Sequence, residues 1–232
     1  DHRDLHKEYR RQRQMCIRDS ITVDREDLSE TNLKYAQEVD LETNFSAAVE
    51  KLKPTIVIGV SGVGGAFEEK MVRNMTKQNN RPIIFALSNP TSKSECTAEQ
   101  AYNWSEGKAI FASGSPFDTV RLKGKTYHPA QGNNAYVFPG VGLGVVASGA
   151  TRVTDEMFLA AAHALADMME YNNLEKETLY PALAEIRKVS KRIALAVALE
   201  VYNSDLASQP PPKNLEQRIE EIMYSPHYET YI

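Results

Sequence analysis

The chain has 232 residues, 42% hydrophobic and 25% charged, which is globular composition and excludes collagen-like, disordered and disulfide-stapled classes. Its 27 Lys and Arg against 31 Asp and Glu leave a net charge of −4, so it carries no electrostatic footprint for nucleic acid. A mean hydropathy of −0.44 and the lack of a long apolar run argue against a membrane span; two distant cysteines, Cys16 and Cys96, argue for a reducing compartment and against a cysteine-based zinc site.

Residues 1–20 stand apart, with six Lys/Arg and four Asp/Glu, no clean helical stripe and no apolar core of a secretory signal. They read as a solvated or disordered basic tail, or as one foreign to the domain that follows. Leu41–Leu52 has Phe45, Ala48, Val49 and Leu52 at helical spacing, and Pro54 ends that helix. Thr55–Val60 is an apolar, β-branched run of the kind expected for a strand buried on both faces. A Gly-rich turn comes next, then a helix over Phe67–Gln78. Pro82–Ser88 reads as a second strand, broken by Asn89-Pro90-Thr91. Thr97 opens a short helix to Trp104, and Ala109–Ser113 is a third strand. The alternation of strand and helix predicts a parallel sheet.

All twelve glycines lie between Gly59 and Gly149. A Gly-bearing middle and a Gly-free end predict an α/β core followed by helices. Thr154 opens a helix to about Met169. Pro181 is placed near the first turn of a long helix to about Leu206, Pro210–Pro212 is a stiff linker, and Asn214–Met223 is the last helix. The small residues Ala160, Ala161, Ala162, Ala164 and Ala166 suit close helix packing.

Four loops carry candidate chemistry. Gly59-Val60-Ser61-Gly62-Val63-Gly64-Gly65 leaves a strand and enters a helix, where glycines let the backbone approach a phosphate or a ribose; a tight connection explains the same pattern. Leu87-Ser88-Asn89 ends the second strand, at the edge where open parallel sheets bind ligands, although Asn is also a common turn former before proline. Ala112–Phe117 follows the third strand. Gln131-Gly132-Asn133-Asn134 is an amide-rich loop suited to a small polar anion, or a plain exposed turn. Asp155, Glu156, Glu68 and Glu69 read as helix-start charges, His128 and His163 show no partner, and no P-loop, nucleophile elbow or metal-ligand spacing appears.

From Lys53 to about Asp167 the chain resembles the NAD(P)-binding domain of malic enzymes. The pieces that carry the resemblance are KPTIVIGVSGVGGAF, RPIIFALSNPTSKSECTAEQAY, AIFASGSPF, QGNNAYVFPGVGLG and TDEMFLAAAHALA, in the family's order and spacing. LYPALAEIRKVSKRIALAV and MYSPHYETY resemble the end of eukaryotic-type members, so the likeness extends over nearly all of residues 21–232. The resemblance implies a Rossmann-like α/β fold, with residues 21–170 forming the second half of an NAD(P)-binding domain and residues 171–232 a C-terminal helical extension.

It further implies oxidative decarboxylation of L-malate to pyruvate and CO₂, with NAD or NADP and a divalent metal (Mg or Mn). Hydride passes from malate C2 to nicotinamide, the metal polarises the C2 oxygen, CO₂ leaves and the enolpyruvate is protonated. By resemblance, Gly59, Val60, Ser61, Gly62, Leu87, Ser88 and Asn89 line the cofactor, while Asn89, Asn133 and Asn134 bind malate. Neutral amides orient a dianion without competing as bases.

The family's Tyr/Lys acid–base pair, its metal carboxylates and its main G-x-G-x-x-G/A fingerprint are not in this sequence, and Lys51 and Lys53 do not match the catalytic lysine. A fragment inactive alone is the expectation, with an uncovered sheet edge, and a homodimer or homotetramer when full length. The choice of NAD or NADP leans on the stretch around Asp24–Lys34, where Arg25 and Lys34 are available to a 2′-phosphate. A soluble intracellular protein is expected, of cytoplasm or organelle. The rival readings are a non-catalytic nucleotide-binding or assembly module, and another amino- or hydroxy-acid dehydrogenase of similar architecture.

Overall fold

The structure, a computed structural model, describes residues 21–26, 28–40, 42–169 and 179–224. The tail expected over 1–20, Cys16 and the end of the closing MYSPHYETY stretch lie outside the described residues. Two compact units divide between Gly132 and Asn133.

The first unit opens with Thr22 and Gln37 in a parallel bridge and a single turn, α1 (Glu30–Leu33). Helix α2 (Phe45–Leu52) begins later than its apolar spacing implies, because the Asn44 side chain accepts the Ala47 N–H at 2.9 Å and caps it there. It ends at Lys53, whose φ of 49° is left-handed.

Strands β1 (Ile56–Gly59), β2 (Ile83–Ala86) and β3 (Ile110–Ser113) pair in parallel, joined through helices α3 (Glu69–Gln78) and α4 (Ala98–Trp104). The N-terminus of α4 is held by a capping box between Thr97 and Gln100, with Thr97 the residue expected to open the helix. Strands β4 (Val120–Leu122) and β5 (Lys125–Tyr127) form an antiparallel hairpin turning at Lys123-Gly124, and β6 (Ala130–Gln131) adds to β3. The sheet order is β1-β2-β3-β6, an α/β Rossmann-like arrangement.

Register builds the core. Val57, Ile84 and Phe111 stand opposite one another across the three strands, and all are buried. Met71, Val72 and Met75 of α3 and Tyr102 of α4 join the same cluster. Each such side chain contributes roughly 1.5–3 kcal/mol by leaving water. Two residues further along the strands, Gly59, Ala86 and Ser113 form a second row, of small side chains, at the C-terminal edge. The expectation that β1 is buried on both faces is corrected: Ile58 is 58% exposed, because β1 is the border strand and its outward side chain meets no covering helix among the described residues.

The second unit is helical: α5 (Phe138–Ser148), α6 (Asp155–Ala166), α7 (Ile186–Asn203) and α8 (Leu215–Ile222). Helix α5 has no counterpart among the elements expected from sequence: glycines at 140, 142 and 144 disfavour a helix. Packing overrides their low propensity. A Cβ on Gly140 would lie 2.6 Å from Ile193 Cβ, and one on Gly144 2.8 Å from the Ala194 carbonyl. The glycines are what let α7 approach.

Helix α7 presents Val189, Ile193, Val197 and Val201, four residues apart and all buried, with Met157, Ala161 and Ala164 of α6 in the same cluster. Pro181, expected near the first turn of α7, lies just ahead of it. The helix starts at Ile186 after a 3₁₀ turn (Leu183–Glu185), and the Pro181 carbonyl accepts the Tyr136 hydroxyl at 2.8 Å instead.

Candidate functional site

Three loops leave the C-terminal edge of the sheet, and hydrogen bonds tie them together. After β1 the chain turns through Val60-Ser61-Gly62, with Gly62 and Gly65 at positive φ (69° and 75°), a conformation that disfavours any side chain. After β2 it runs through Leu87-Ser88-Asn89. The Leu87 N–H donates to the Gly59 carbonyl at 2.8 Å, and the Gly62 N–H donates to Ser88 Oγ at 2.8 Å. After β3, Ser115 Oγ donates to Asn89 Oδ1 at 2.6 Å. Gly114 is pressed so close that a Cβ there would stand 2.2 Å from the Leu87 carbonyl and 2.9 Å from Asn89 Nδ2. Asn89 itself is exposed, its amide oriented by Ser115.

Beneath these loops lies a residue that sequence reasoning did not single out. A 3₁₀ turn (Thr91–Lys93) carries the chain back under β1, and Glu95 enters the space that Gly59 leaves. A Cβ on Gly59 would meet Glu95 Cδ at 2.5 Å. The Glu95 side chain is wholly buried, and no described Lys, Arg or His forms an ion pair with it. Donors replace the missing cation. Oε1 accepts the Ser61 N–H at 2.9 Å, the Ser61 hydroxyl at 2.8 Å and the Ser88 hydroxyl, and Oε2 accepts the Ser88 N–H at 3.3 Å.

Burial on its own raises the carboxyl's pKa. The hydrogen bonds from Ser88 and Ser61 and from its own backbone outweigh that, and the net displacement is downward, so Glu95 is ionised at neutral pH. Next to it, burial and then the Glu95 charge push the Cys96 thiol up to about 12. No pattern around Ser94-Glu95-Cys96 marks an acid as buried; the only sequence-level hint is that Gly59 and Ser61 leave room and donors for one.

Of the residues singled out from sequence, Gly59, Val60, Ser61, Gly62, Leu87, Ser88 and Asn89 are gathered at this edge of the first unit. Asn133 and Asn134 open the second unit, both exposed. Asn133 Oδ1 accepts the Ala135 N–H at 2.9 Å and caps the short 3₁₀ turn Asn134–Tyr136. Tyr136, in the same motif, stacks on Tyr180 at 5.1 Å between ring centroids. Among the described residues no group of three or more His, Cys, Asp or Glu is placed to hold a metal ion, and no helix is long and apolar enough to cross a membrane.

The family model described as malic enzyme, NAD binding domain, matches residues 7–202. The chain belongs to the malic enzyme family. It is 50% identical over 208 residues to a chloroplastic NADP-dependent malic enzyme of Oryza sativa subsp. japonica, covering 89% of this chain and 33% of that protein. A chloroplastic NADP-dependent malic enzyme of Zea mays is 55% identical over 185 residues, covering 79% of this chain and 29% of the relative. This malic enzyme domain thus spans about a third of the length of the curated relatives it matches. Among solved structures, the malic enzyme from Pyrococcus horikoshii superposes with a TM-score of 0.66 at 25% identity, over 88% of this chain and 43% of that one. The Entamoeba histolytica malic enzyme, at 24% identity and a TM-score of 0.64, shares the fold.

Proposed function

We propose that this domain is the nicotinamide-nucleotide-binding part of an enzyme that oxidatively decarboxylates L-malate to pyruvate and CO₂ while reducing NADP. The observation that carries the reading is the identity of half or more of the aligned residues with proteins named NADP-dependent malic enzymes. The bound nucleotide supplies the hydride acceptor for malate C2.

The chain's own part is to bind and orient. The edge formed by Gly59–Gly62 and Leu87–Asn89 lines the nucleotide, with glycine allowing close backbone approach. Asn89 of the first unit, held by Ser115, offers an uncharged amide to a carboxylate without acting as a base; by the family resemblance Asn133 and Asn134, exposed in the second unit, are each a substrate-binding amide of the same kind. The described residues do not fit a divalent metal, and no step is assigned to one on this chain.

Titration calorimetry of NADP⁺ and NAD⁺ into the full-length enzyme that contains this chain tests the reading. NADP⁺ should bind, and more tightly than NAD⁺; no heat with either would sink it. With malate, Mn²⁺ and either nucleotide the chain alone should give no turnover, and clear turnover would overturn that expectation. In the full-length enzyme, Asn89→Ala should lower malate turnover while leaving the unfolding midpoint in place, and unchanged kinetics would remove Asn89 from the site.

A further inference from the structure

A Gly-rich turn between a strand and a helix is normally a place for phosphate, because its free backbone N–H groups converge on an anion. Here five of those groups are consumed. The Ser61 N–H goes to Glu95, the Gly62 N–H to Ser88 Oγ, the Val63 N–H to Ser61 Oγ at 3.1 Å, the Gly65 N–H to the Ser94 carbonyl at 3.1 Å and the Phe67 N–H to the Glu95 carbonyl at 2.9 Å. Behind them stands a buried carboxylate with no cation paired to it among the described residues. An anion on this turn would find few donors and a like charge.

The carboxylate also fixes hydroxyl polarity. Ser61 and Ser88 have one proton each, and both protons are donated to Glu95 Oε1. Each hydroxyl is left as an acceptor, used by Val63 and Gly62 respectively. Toward a ligand the turn therefore offers oxygen lone pairs over a negative charge.

We propose that Glu95 is a positioning and specificity-determining residue: by accepting the hydrogen bonds of both serine hydroxyls it locks the Gly59–Gly65 turn and dedicates it to the uncharged or cationic, proton-donating part of the nucleotide, the nicotinamide riboside end, in place of phosphate. The proposal deepens the nucleotide-binding reading above and rests on it. Glu95 acts through Ser61 and Ser88 and does not itself touch the ligand.

The experiment uses the ¹⁵N-labelled full chain and reads amide exchange first, without ligand. Ser61→Ala should speed exchange at Val63 alone, and Ser88→Ala at Gly62 alone. Glu95→Gln places an amide donor against the Ser88 N–H and removes the charge, so it should speed both by about tenfold, as expected when hydrogen bonds to a charged group are weakened. The Ile83 and Ile110 amides, bonded to the Thr55 and Pro82 carbonyls, should stay protected in every variant and so report that the sheet is intact. Equal protection of Gly62 and Val63 in Glu95→Gln and the unsubstituted chain would overturn the clamp.

Nicotinamide riboside and inorganic phosphate are then titrated separately. The riboside should shift the Gly62 and Val63 resonances, with the response weakened about tenfold in Glu95→Gln, and phosphate should leave them in place. Phosphate acting where the riboside does not would overturn the specificity. Silence toward both probes would count against the turn as a ligand site, hence against the nucleotide reading, while the exchange result separately decides the clamp.

Discussion

The two units solve the same problem, bringing backbone close to backbone, by opposite chemistry. In the sheet unit Gly59 makes room for a charged side chain, and the loops are tied by hydrogen bonds that converge on Glu95. In the helical unit Gly140 and Gly144 make room for Ile193, Ala194 and Val197, and nothing polar is required. The first arrangement is directional and fixes where donors and acceptors point; the second is apolar and fixes only distance. The polar arrangement sits where the candidate site is, and the apolar one holds helices.

The contrast can be broken most severely in the helical unit. Gly144→Val should destabilise it by about 3 kcal/mol or more in denaturant unfolding, because the Ala194 carbonyl and Val197 cannot both retreat. A loss within error would mean α5 and α7 do not depend on the close approach. In the sheet unit Gly59→Ala should cost about 2 kcal/mol, since the added methyl meets a buried charged group rather than a flexible chain end.

A third test uses acid. The folded Glu95 carboxyl lies below its ordinary value of 4.5, so the unfolded chain binds the proton more readily. The stability due to Glu95 is therefore complete above that value and is lost as pH falls through the folded pKa. Thermal midpoints measured from neutral to acid pH should drop in that window, and Glu95→Gln should flatten this part of the curve; a parallel curve would detach Glu95 from the acid response.

A smaller readout concerns Cys96, whose thiol is pushed up to about 12. Peptide mapping after iodoacetamide treatment at mildly alkaline pH should find Cys96 unmodified in the folded chain and modified once it is unfolded. Smallest of all, Lys191→Ala removes exposed pairs with Glu216 and Glu220, at 3.0 and 2.5 Å, and should leave the unfolding midpoint almost unmoved in high salt.

The strands and their parallel order are legible in the sequence because β-branched runs bounded by Gly, Pro and Asn alternate with helical spacing, and Thr97 is recognisable as an N-cap. The turns after β1 and β2 are legible for the same reason. What escapes is what tertiary packing decides. Helix α5 is invisible because its glycines are chosen by the neighbour they admit, not by propensity. The exposure of Ile58 depends on which strand is the border. Glu95 is invisible because burial of an acid is set by four donors that lie 7 and 34 residues away in sequence. Asn89 on its own reads as a turn former before proline rather than a ligand, and only its contact with Ser115 shows that its amide is oriented.

The fit between Gly59 and Glu95 has an evolutionary corollary. A methyl group at one position and a full-length acid at the other coexist only at a cost in stability, so neither site drifts freely while its counterpart stays put. Among homologues, any branch that replaces the glycine should also have shortened or abandoned the acid, and should have lost its reason to keep serine at 61 and 88.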